Sequence, residues 1–211
     1  MSIPPSMERA TAPENERLSR RHWQRAALES LTEGGIAAVT VPRIAKRLGV
    51  TKGSFYWHFK SVDDLLGAAL ADWERIFTDE RLARFADVSD PRQRLEPWFA
   101  EVEKDHPAQK LHLAIAGAAD HPVVGAVFAR VAAKRIAFIA AALRQMGFGR
   151  KDADARAIAA HAAYLGFLRL LHHAPATVGN GRVRTRNVRT MFGVLTGKAS
   201  LPDDGQAPAV S

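Results

Sequence analysis

The sequence predicts an all-α protein of about nine helices, and three observations support this. Apolar residues recur three and four positions apart through most of the chain, which is typical of amphipathic helices. No segment sustains the alternation of apolar and polar residues that marks a half-buried strand. Glycines, prolines and capping residues divide the helical pattern into segments. With 211 residues, 47% of them hydrophobic, the chain is long enough for one or two domains with a substantial core.

The helix boundaries follow from start and stop residues. Thr40, Thr51 and Ser61 each precede an apolar pattern and can cap the helix that follows. Gly49 ends the second helix, because the left-handed backbone of a tight turn suits glycine. The nine predicted helices span residues 19–33, 41–48, 52–59, 62–85, 92–104, 109–119, 122–146, 152–172 and 183–196.

Charge is distributed unevenly along the chain. The net charge is +8, and residues 1–60 contain 10 basic and 5 acidic side chains. Residues 62–105 reverse this balance, with 12 acidic and 6 basic side chains. A basic N-terminal segment indicates a polyanionic partner such as nucleic acid, and the alternative is ordinary solvated surface charge.

Composition also narrows the function classes. The absence of cysteine excludes disulfides, thiolate metal sites and cysteine nucleophiles. No apolar run is long enough to cross a membrane, and the first twenty residues do not read as a secretory signal, so we expect a cytoplasmic protein. No nucleophile elbow or phosphate-binding loop occurs, and the histidines lack a helical pair with a nearby carboxylate. We therefore expect no enzyme activity, no cofactor and no metal site.

The segment Thr40–Leu65 (TVPRIAKRLGVTKGSFYWHFKSVDDL) carries the most specific motif. Two short amphipathic segments flank a turn at Gly49, which is the pattern of a helix-turn-helix unit. Ile44, Ala45 and Phe55 would pack inside the unit. The second short helix would then face outward, and a DNA major groove is wide enough to admit it.

This motif resembles the signature of the tetracycline-repressor (TetR/AcrR) family of bacterial transcriptional regulators, over about residues 17–77. The matching positions are Thr40, Ile44-Ala45, Gly49-Val50-Thr51, Ser54, Phe55-Tyr56, His58-Phe59 and Leu65. Two positions depart from the family pattern. Phe55 replaces an aliphatic residue, and Val62 stands where a lysine commonly contacts a phosphate. One DNA contact is therefore expected to be missing, unless the nearby Lys60 supplies it.

The residue types on the outer side of the motif suit DNA. Lysines and arginines can contact phosphates or guanine edges, hydroxyls can donate hydrogen bonds, and a glycine permits close approach. The resemblance implies phosphate contacts for Thr40 and Tyr56, and base reading by Lys52, Ser54 and Trp57. His58 could instead be a partly buried histidine bonded to the neighbouring helix, Trp57 could be a lid over the small domain, and Arg43 could simply be solvated. The predicted DNA contacts are Thr40, Arg43, Thr51, Lys52, Gly53, Ser54, Tyr56, Trp57, His58 and Lys60.

The last two predicted helices offer a candidate dimer face. Small residues three and four apart on the eighth helix permit close helix approach, and the ninth carries an apolar stripe. In the family these helices form a four-helix bundle with a partner subunit, and the alternative is that they complete the core of a single subunit. The predicted interface residues are Ala155, Ile158, Ala159, Ala162, Ala163, Leu165, Gly166, Val188, Met191, Phe192 and Leu195. The arginines at 182, 184, 186 and 189 read as a solvated face.

The middle helices contain many large apolar side chains. The resemblance implies a ligand pocket in this region, whereas an aromatic-rich set by itself is more often ordinary core. A small apolar effector, uncharged or weakly basic, is expected there. The predicted pocket residues are Trp73, Phe77, Trp98, Phe99, Leu111, Phe128, Phe138, Tyr164 and Phe167.

These observations lead to one main hypothesis and one alternative. The main hypothesis is a ligand-responsive, cytoplasmic bacterial repressor that binds a palindromic double-stranded DNA operator as a homodimer and is released by its effector. The alternative is a helical small-molecule-binding or interaction protein that has lost DNA binding. The expected organisation is a flexible tail (1–16), a helix-turn-helix domain (17–77), a ligand-binding and dimerisation domain (78–198) and a second flexible tail (199–211).

Overall fold

The computed structural model describes residues 19–100 and 107–197, except for the side chains of residues 98–100 and 107. Within these residues the chain forms helices and turns and no strand, which confirms the all-α prediction. A 3₁₀ turn (Ile36–Ala38) and a π-helical segment (Arg75–Asp79) accompany the α-helices. The helices are α1 (Arg20–Gly34), α2 (Val41–Leu48), α3 (Lys52–Phe55), α4 (Val62–Glu74), α5 (Glu80–Ala86), α6 (Pro91–Ala100), α7 (Pro107–Gly117), α8 (Pro122–Gln145), α9 (Arg150–His173), α10 (Pro175–Val178) and α11 (Gly181–Thr196).

Three elements differ from the sequence-based prediction. The third helix is one turn long and continues as a turn to His58, since Gly53 and the aromatic residues after it have poor helix propensity. The long fourth helix is interrupted by the π-helical segment. The predicted loop after α9 contains the short helix α10. The predicted tails, residues 1–16 and 199–211, lie outside the described residues.

A first apolar core is formed by α1, α2, α3 and α4, and it continues into α7 and α8. Trp23 and Leu31 of α1, Ile44 of α2 and Phe55 of α3 are fully buried in it. On the other side, Ile115 of α7 and Val124 of α8 belong to the same cluster. Each such side chain contributes about 1.5–3 kcal/mol on burial. The N-terminal helices are therefore packed firmly against the rest of the chain.

A second apolar core lies between α6, α8, α9 and α11. The long helices α8 and α9 pack side by side, and the small buried Ala153, Ala157 and Ala160 allow them to approach closely. Arg156 fixes the end of α11, because its Nη1 donates to the carbonyls of Val194 and Leu195 at 3.1 and 3.2 Å. This core holds α9 and α11 as neighbours on one side of the molecule.

The corner between α7 and α8 depends on a glycine. A Cβ on Gly125 would lie 2.3 Å from the Ala119 carbonyl oxygen, which real structures do not tolerate. The first turn of α8 therefore sits against the corner only because residue 125 has no side chain. None of the described helices is both long and apolar enough to cross a membrane.

Candidate nucleic-acid interface and internal cavity

The turn between α2 and α3 is set by Gly49. Its backbone is left-handed (φ 68°, ψ 28°), and its N–H bonds to carbonyls in the last turn of α2. The next N–H, of Val50, donates to the Ala45 carbonyl at 3.0 Å. These bonds satisfy the end of α2 and fix the angle at which the chain enters α3.

The buried side of α3 is an aromatic contact. The Phe55 ring meets Trp23 of α1 edge-on, with centroids 5.4 Å apart, and stacks on Phe59 at 5.8 Å. Phe55 is fully buried, so it anchors α3 to the head, by which we mean residues 19–61. With this face inward, the opposite face of α3 and its following turn points into solvent.

The outward face carries most of the side chains predicted to contact DNA. Trp57 is 89% exposed and Tyr56 68% exposed, which are unusual values for large aromatic residues. The interpretation of Trp57 as a lid is therefore wrong, because almost none of its surface is covered. Thr51, Lys52 and Gly53 are exposed beside them, and Ser54 is half-buried.

Lys60 is held in place by the cap of α4. The Ser61 hydroxyl accepts from the Asp64 N–H at 3.1 Å, and the Asp64 carboxylate accepts from the Lys60 N–H at 2.9 Å. The first bond caps α4, and the second ties its first turn back to the residue that precedes the cap. It fixes the backbone at Lys60 while its side chain stays exposed. Val62 is half-buried against the first core.

His58 is tied to α1 through its backbone. Its carbonyl accepts from Arg20, and its half-buried ring lies 6.3 Å from the Trp23 ring. His58 is therefore partly buried against the neighbouring helix α1, as the alternative interpretation had it. The hydrogen bond to α1 is made by the His58 backbone, and the ring makes only an aromatic contact. A side of the ring remains available to solvent.

Thr40 and Thr51 occupy the cap positions of α2 and α3, but neither hydroxyl caps its helix. The predicted side-chain caps are thus wrong, and both residues keep their exposed hydroxyls. Arg43 is exposed and lies 3.9 Å from Glu33, which is a weak contact that a phosphate could replace.

The head itself carries little acidic charge. Glu29 and Glu33 are the only carboxylates between residues 19 and 61, and both lie on α1. Arg47 of α2 donates to Glu33 at 2.6 Å and to Glu29 at 3.3 Å. The bond from Arg47 lowers the pKa of Glu33 despite partial desolvation. The outward face of α3 is consequently cationic, aromatic and rich in hydroxyls.

A cavity of about 380 Å³ lies between the π-helical segment, α5, α7, α8 and α9. Three of the predicted pocket residues, Trp73, Phe77 and Tyr164, line it. Leu111 and Phe128 instead pack against the first core, and Phe138 and Phe167 against the second. The side chains of Trp98 and Phe99 lie outside the described residues.

Sequence reasoning missed the polar lining of this cavity. Arg81, Arg84 and Arg135 contribute to its wall together with Gln109 and His112. The apolar, uncharged or weakly basic effector stays a prediction. The signal available in the sequence was Arg135, which stands among the inward-facing apolar positions of α8.

A buried polar network crosses the cavity wall. Arg135, only 3% exposed, donates through Nη2 to the Thr78 hydroxyl at 3.0 Å and to the Phe77 carbonyl at 3.2 Å. The Arg135 Nη1 lies 3.2 Å from Nδ1 of His112. The His112 Nδ1 in turn lies 3.3 Å from the Tyr164 hydroxyl. The network therefore links the π-helical segment to α7, α8 and α9.

The two histidines nearest the network are held neutral. Burial and, after it, the charge of Arg135 lower the pKa of His112 well below its usual range. The same two causes, in the same order, lower the pKa of His161 to about 4. His161 is 5% exposed, and neither of its ring nitrogens has a hydrogen-bond partner among the described residues.

The predicted dimer residues fall into two groups. On α9, Ala155, Ile158, Ala159, Ala162 and Gly166 are exposed, and Ala163 and Leu165 are half-buried. On α11, Val188 and Phe192 are buried in the second core of their own subunit, and Met191 and Leu195 pack against it. For α11, therefore, the structure places the predicted stripe in the monomer's interior. Its outward face instead carries Arg182, Arg186, Arg189, Gly193 and Val194.

The described residues contain no group of three or more metal-ligating side chains that could hold an ion. His112 belongs to the network above, the His161 ring lies 6.3 Å from the Tyr164 ring beside it, and His121 lies 3.5 Å from Asp63 of α4. His106 lies outside the described residues.

The fold and the exposed face of α3 define a helix-turn-helix protein with a helical body. Residues 25–69 match the sequence model of the family described as bacterial regulatory proteins, tetR family. The chain therefore carries the DNA-binding domain of the tetR family.

Two curated relatives show how far the likeness extends. The chain is 42% identical over 65 residues to the HTH-type transcriptional regulator SrpR of Pseudomonas putida, covering 31% of this chain and 30% of that one. It is 33% identical over 130 residues to an HTH-type transcriptional regulator of Saccharopolyspora erythraea, covering 60% and 50%. The chain thus spans at most half the length of these two relatives.

Among solved structures, a transcriptional regulator from Rhodococcus sp. Rha1 shares the fold. The TM-score is 0.67 at 23% identity, and the match covers 84% of this chain and 96% of that one. At this identity the likeness extends to the fold alone.

Proposed function

We propose that this protein is a bacterial transcriptional repressor that binds an operator in double-stranded DNA as a homodimer and releases it when a small molecule occupies the body cavity. We use "body" for residues 80–197 and "body cavity" for the cavity described above, whose wall the body shares with α4 and the π-helical segment. The observation that carries the proposal is the outward face of α3 and its following turn, where Trp57 and Tyr56 are exposed beside Lys52.

DNA binding follows from the chemistry of that face. Lys52, Ser54 and Trp57 would read bases in the major groove, and Tyr56, Thr40 and Lys60 would contact phosphates. Thr51, Gly53, Arg43 and His58 lie around them and complete the surface. The family that residues 25–69 match is described as one of bacterial regulatory proteins, so we propose a regulator without catalytic activity. Operators are found in the bacterial cytoplasm, where we place this protein.

Dimer formation is proposed on the exposed face of α9. Ile158 is 57% exposed among small residues that let a partner helix approach, and Val194 of neighbouring α11 is 69% exposed. Apolar surface of this kind is often covered by a partner. One recognition element reads only a few base pairs, so two of them about 34–36 Å apart are needed for useful affinity.

Effector release is proposed to act through α4. This helix packs on α1 of the head and ends at the π-helical segment, which forms part of the cavity wall. A ligand that shifts the segment would change the spacing of the two heads, and a mismatch of a few ångströms would prevent both from docking together. The competing function, a helical protein that has lost DNA binding, is favoured only by Val62.

The test uses the full-length protein and genomic DNA fragments. Selection of bound fragments identifies the operator, and fluorescence anisotropy then measures affinity over a range of salt concentrations. Lys52→Ala should weaken binding roughly tenfold or more and make the salt dependence shallower, since a cation–phosphate or cation–guanine contact is lost. Tyr56→Phe should weaken it by several-fold.

Lys110→Ala is the matched control, because Lys110 is an exposed lysine on α7. It should bind DNA like the unmodified protein. If no fragment is enriched at low ionic strength, or if Lys52→Ala binds as well as the control, the DNA-binding proposal is wrong.

A further inference from the structure

We propose that Arg20, at the start of α1, is a positioning residue for DNA binding, which holds the turn after α3 at the angle from which Tyr56 and Trp57 meet the operator. We call residues 56–60 the recognition turn. This inference rests on the proposed function, since it names a residue that acts on DNA affinity through other residues.

The recognition turn has little backbone support of its own. The helix α3 ends at Phe55, and the chain from Tyr56 to His58 forms a turn. The N–H groups of His58 and Phe59 both donate to the Phe55 carbonyl, at 2.9 and 3.0 Å. These bonds tie the recognition turn to the end of α3 and not to α1. Its orientation relative to α1 must therefore come from contacts with other parts of the head.

Arg20 supplies two such contacts. Its Nη1 donates to the His58 carbonyl, and its guanidinium carbon lies 4.1 Å from the centre of the Phe59 ring. A charged donor makes a stronger hydrogen bond than a neutral one, and the face of an aromatic ring attracts a cation. One side chain thus holds two consecutive residues of the recognition turn, one through its backbone and the other through its buried ring.

The start of α1 is itself fixed. Ser19 is the N-cap of α1, and its N–H and hydroxyl lie 3.1 and 3.0 Å from Nδ1 of His22. In the same turn, Trp23 is fully buried and meets Phe55 edge-on. Arg20 follows the cap directly, so its side chain starts from a defined point of the head.

The angle of the recognition turn matters because of the side chains that it carries. Tyr56 and Trp57 directly precede the His58 carbonyl that Arg20 holds. With 89% of its surface uncovered, Trp57 takes its direction from the backbone on which it stands. The groups of a binding site must be held to within about 0.5 Å of their productive positions. Loss of the Arg20 contacts would therefore weaken DNA binding although every DNA-contacting side chain is still present.

The competing role for Arg20 is a direct phosphate contact, since its side chain is exposed and a guanidinium has several N–H donors. The two roles differ before DNA is added. A residue that only contacts phosphate leaves the recognition turn unchanged in the free protein, whereas a positioning residue restrains it there.

Hydrogen–deuterium exchange of the full-length protein without DNA measures how firmly the recognition turn is held. Arg20→Gln should raise the exchange rate of peptides covering residues 56–60 roughly threefold or more, while peptides from α4 keep their rate. Arg25→Gln is the matched control, because Arg25 is an exposed arginine of α1 that pairs with Glu29. Exchange at residues 56–60 that is the same in both variants would overturn the inference.

Operator affinity is the second measurement, by fluorescence anisotropy over a range of salt concentrations. Arg20→Gln should weaken binding roughly tenfold with an unchanged salt slope, since both heads of the proposed homodimer lose a restraint and no phosphate contact is removed. A direct contact would instead make the slope shallower by about 0.9 for each phosphate lost. That outcome would overturn the positioning role.

Phe59→Leu tests the aromatic contact, because leucine keeps the buried position apolar and removes the ring face beside Arg20. The double variant of Arg20→Gln and Phe59→Leu should lose less operator affinity than the sum of the two single losses, because both changes break the same contact. Fully additive losses would show that this contact does not carry the effect and would overturn it.

Chemical denaturation separates positioning from a purely structural role. Arg20→Gln should keep a denaturation midpoint close to that of Arg25→Gln. A lowered midpoint with unchanged operator affinity of the folded protein would make Arg20 structural only and overturn the inference. If the unmodified protein selects no operator, the proposed function is wrong and the role of Arg20 in DNA binding falls with it. If the unmodified protein binds its operator and the two arginine variants behave alike, only the inference is overturned.

Discussion

The head and the body place their polar groups in opposite ways. In the head, the charged and aromatic residues that matter lie on the surface, over a core made of Trp23, Phe55 and their apolar neighbours. In the body, Arg135, His112 and His161 lie inside, around a cavity. A surface site of the first kind suits an extended polyanion, and an interior site of the second kind suits a small molecule. The two regions therefore differ in the size of partner that each can receive.

The largest effect on the surface site of the head is expected when the anchor of α3 is removed. Phe55→Ala should lower the free energy of unfolding by about 3–5 kcal/mol, since it leaves a large cavity between α1 and α3. Operator affinity should be lost, because the outward face then has no fixed support. Chemical denaturation and anisotropy measure the two effects. Phe55→Leu, which restores the aliphatic residue of the family pattern, should retain most of both, and equal damage from the two variants would contradict this account.

A second experiment tests the buried polar groups of the body through the pH dependence of stability. Burial holds His161 neutral with a pKa of about 4, against 6.5 for an ordinary histidine. Between these values the unfolded chain binds a proton that the folded chain does not, so stability is complete above pH 6.5 and falls as the pH is lowered towards 4. The loss from this group is on the order of 3 kcal/mol.

The measurement is the denaturation midpoint of the unmodified protein and of His161→Phe between pH 7.5 and pH 4. The difference between them isolates His161 from the carboxylates and from His112. We expect the unmodified protein to lose more stability on acidification than the variant. Parallel curves would show that His161 titrates normally.

A smaller effect is expected at the link between head and body. Glu74, at the end of α4, is buried and accepts from Arg130 at 2.6 Å and from Lys134 at 2.8 Å, both on α8. The Arg130 bond is the main reason that the pKa of Glu74 is lowered. Glu74→Gln should reduce stability by about 1–3 kcal/mol, because two cations lose their shared carboxylate.

Operator affinity should change only slightly, while the response to a bound effector should change more, since α4 is then less firmly tied to α8. Glu80→Gln is the control, because Glu80 pairs with Arg75 at an exposed position on the same stretch of chain. If Glu74→Gln and Glu80→Gln have the same stability and the same effector response, the Glu74 ion pairs do not connect α4 to α8 in the way described here.

The sequence predicted the head better than the body. Gly49 and the Ser61 cap are local signals, because each acts through residues close to it in the chain. Phe55 packs on distant Trp23, but its place in the motif marks it as an inward residue, and the structure has all three. The length of α3 was missed, because the helical spacing of Phe55 and Phe59 was given more weight than the poor helix propensity of Gly53 and the aromatic residues after it. The hydroxyls of Thr40 and Thr51 suit caps by residue type, but hydrogen bonding depends on rotamers that a sequence does not reveal.

In the body, the apolar pattern located helices but did not identify their neighbours. Val188 and Phe192 form a stripe on α11 that could equally face a partner or the subunit's own core, and they face the core. Three aromatic residues of the predicted pocket were found at the cavity, whereas Arg81 and Arg135 were not foreseen. Such convergence of distant residues depends on tertiary packing, which spacing along one helix does not determine.

The π-helical segment has a consequence for the direction of every side chain after it. The Glu80 N–H bonds to the Arg75 carbonyl five residues back, so one extra residue is accommodated within this turn. Because the extra residue is absorbed there, the side chains after it keep the directions they would have in an uninterrupted α-helix that is one residue shorter. Deleting a single residue between 75 and 79 should therefore leave Arg81 and Arg84 at the cavity wall and α4 and the head in place. Such a deletion would remove only the irregular turn that Arg135 holds, and would separate the role of that turn from the role of the cavity lining.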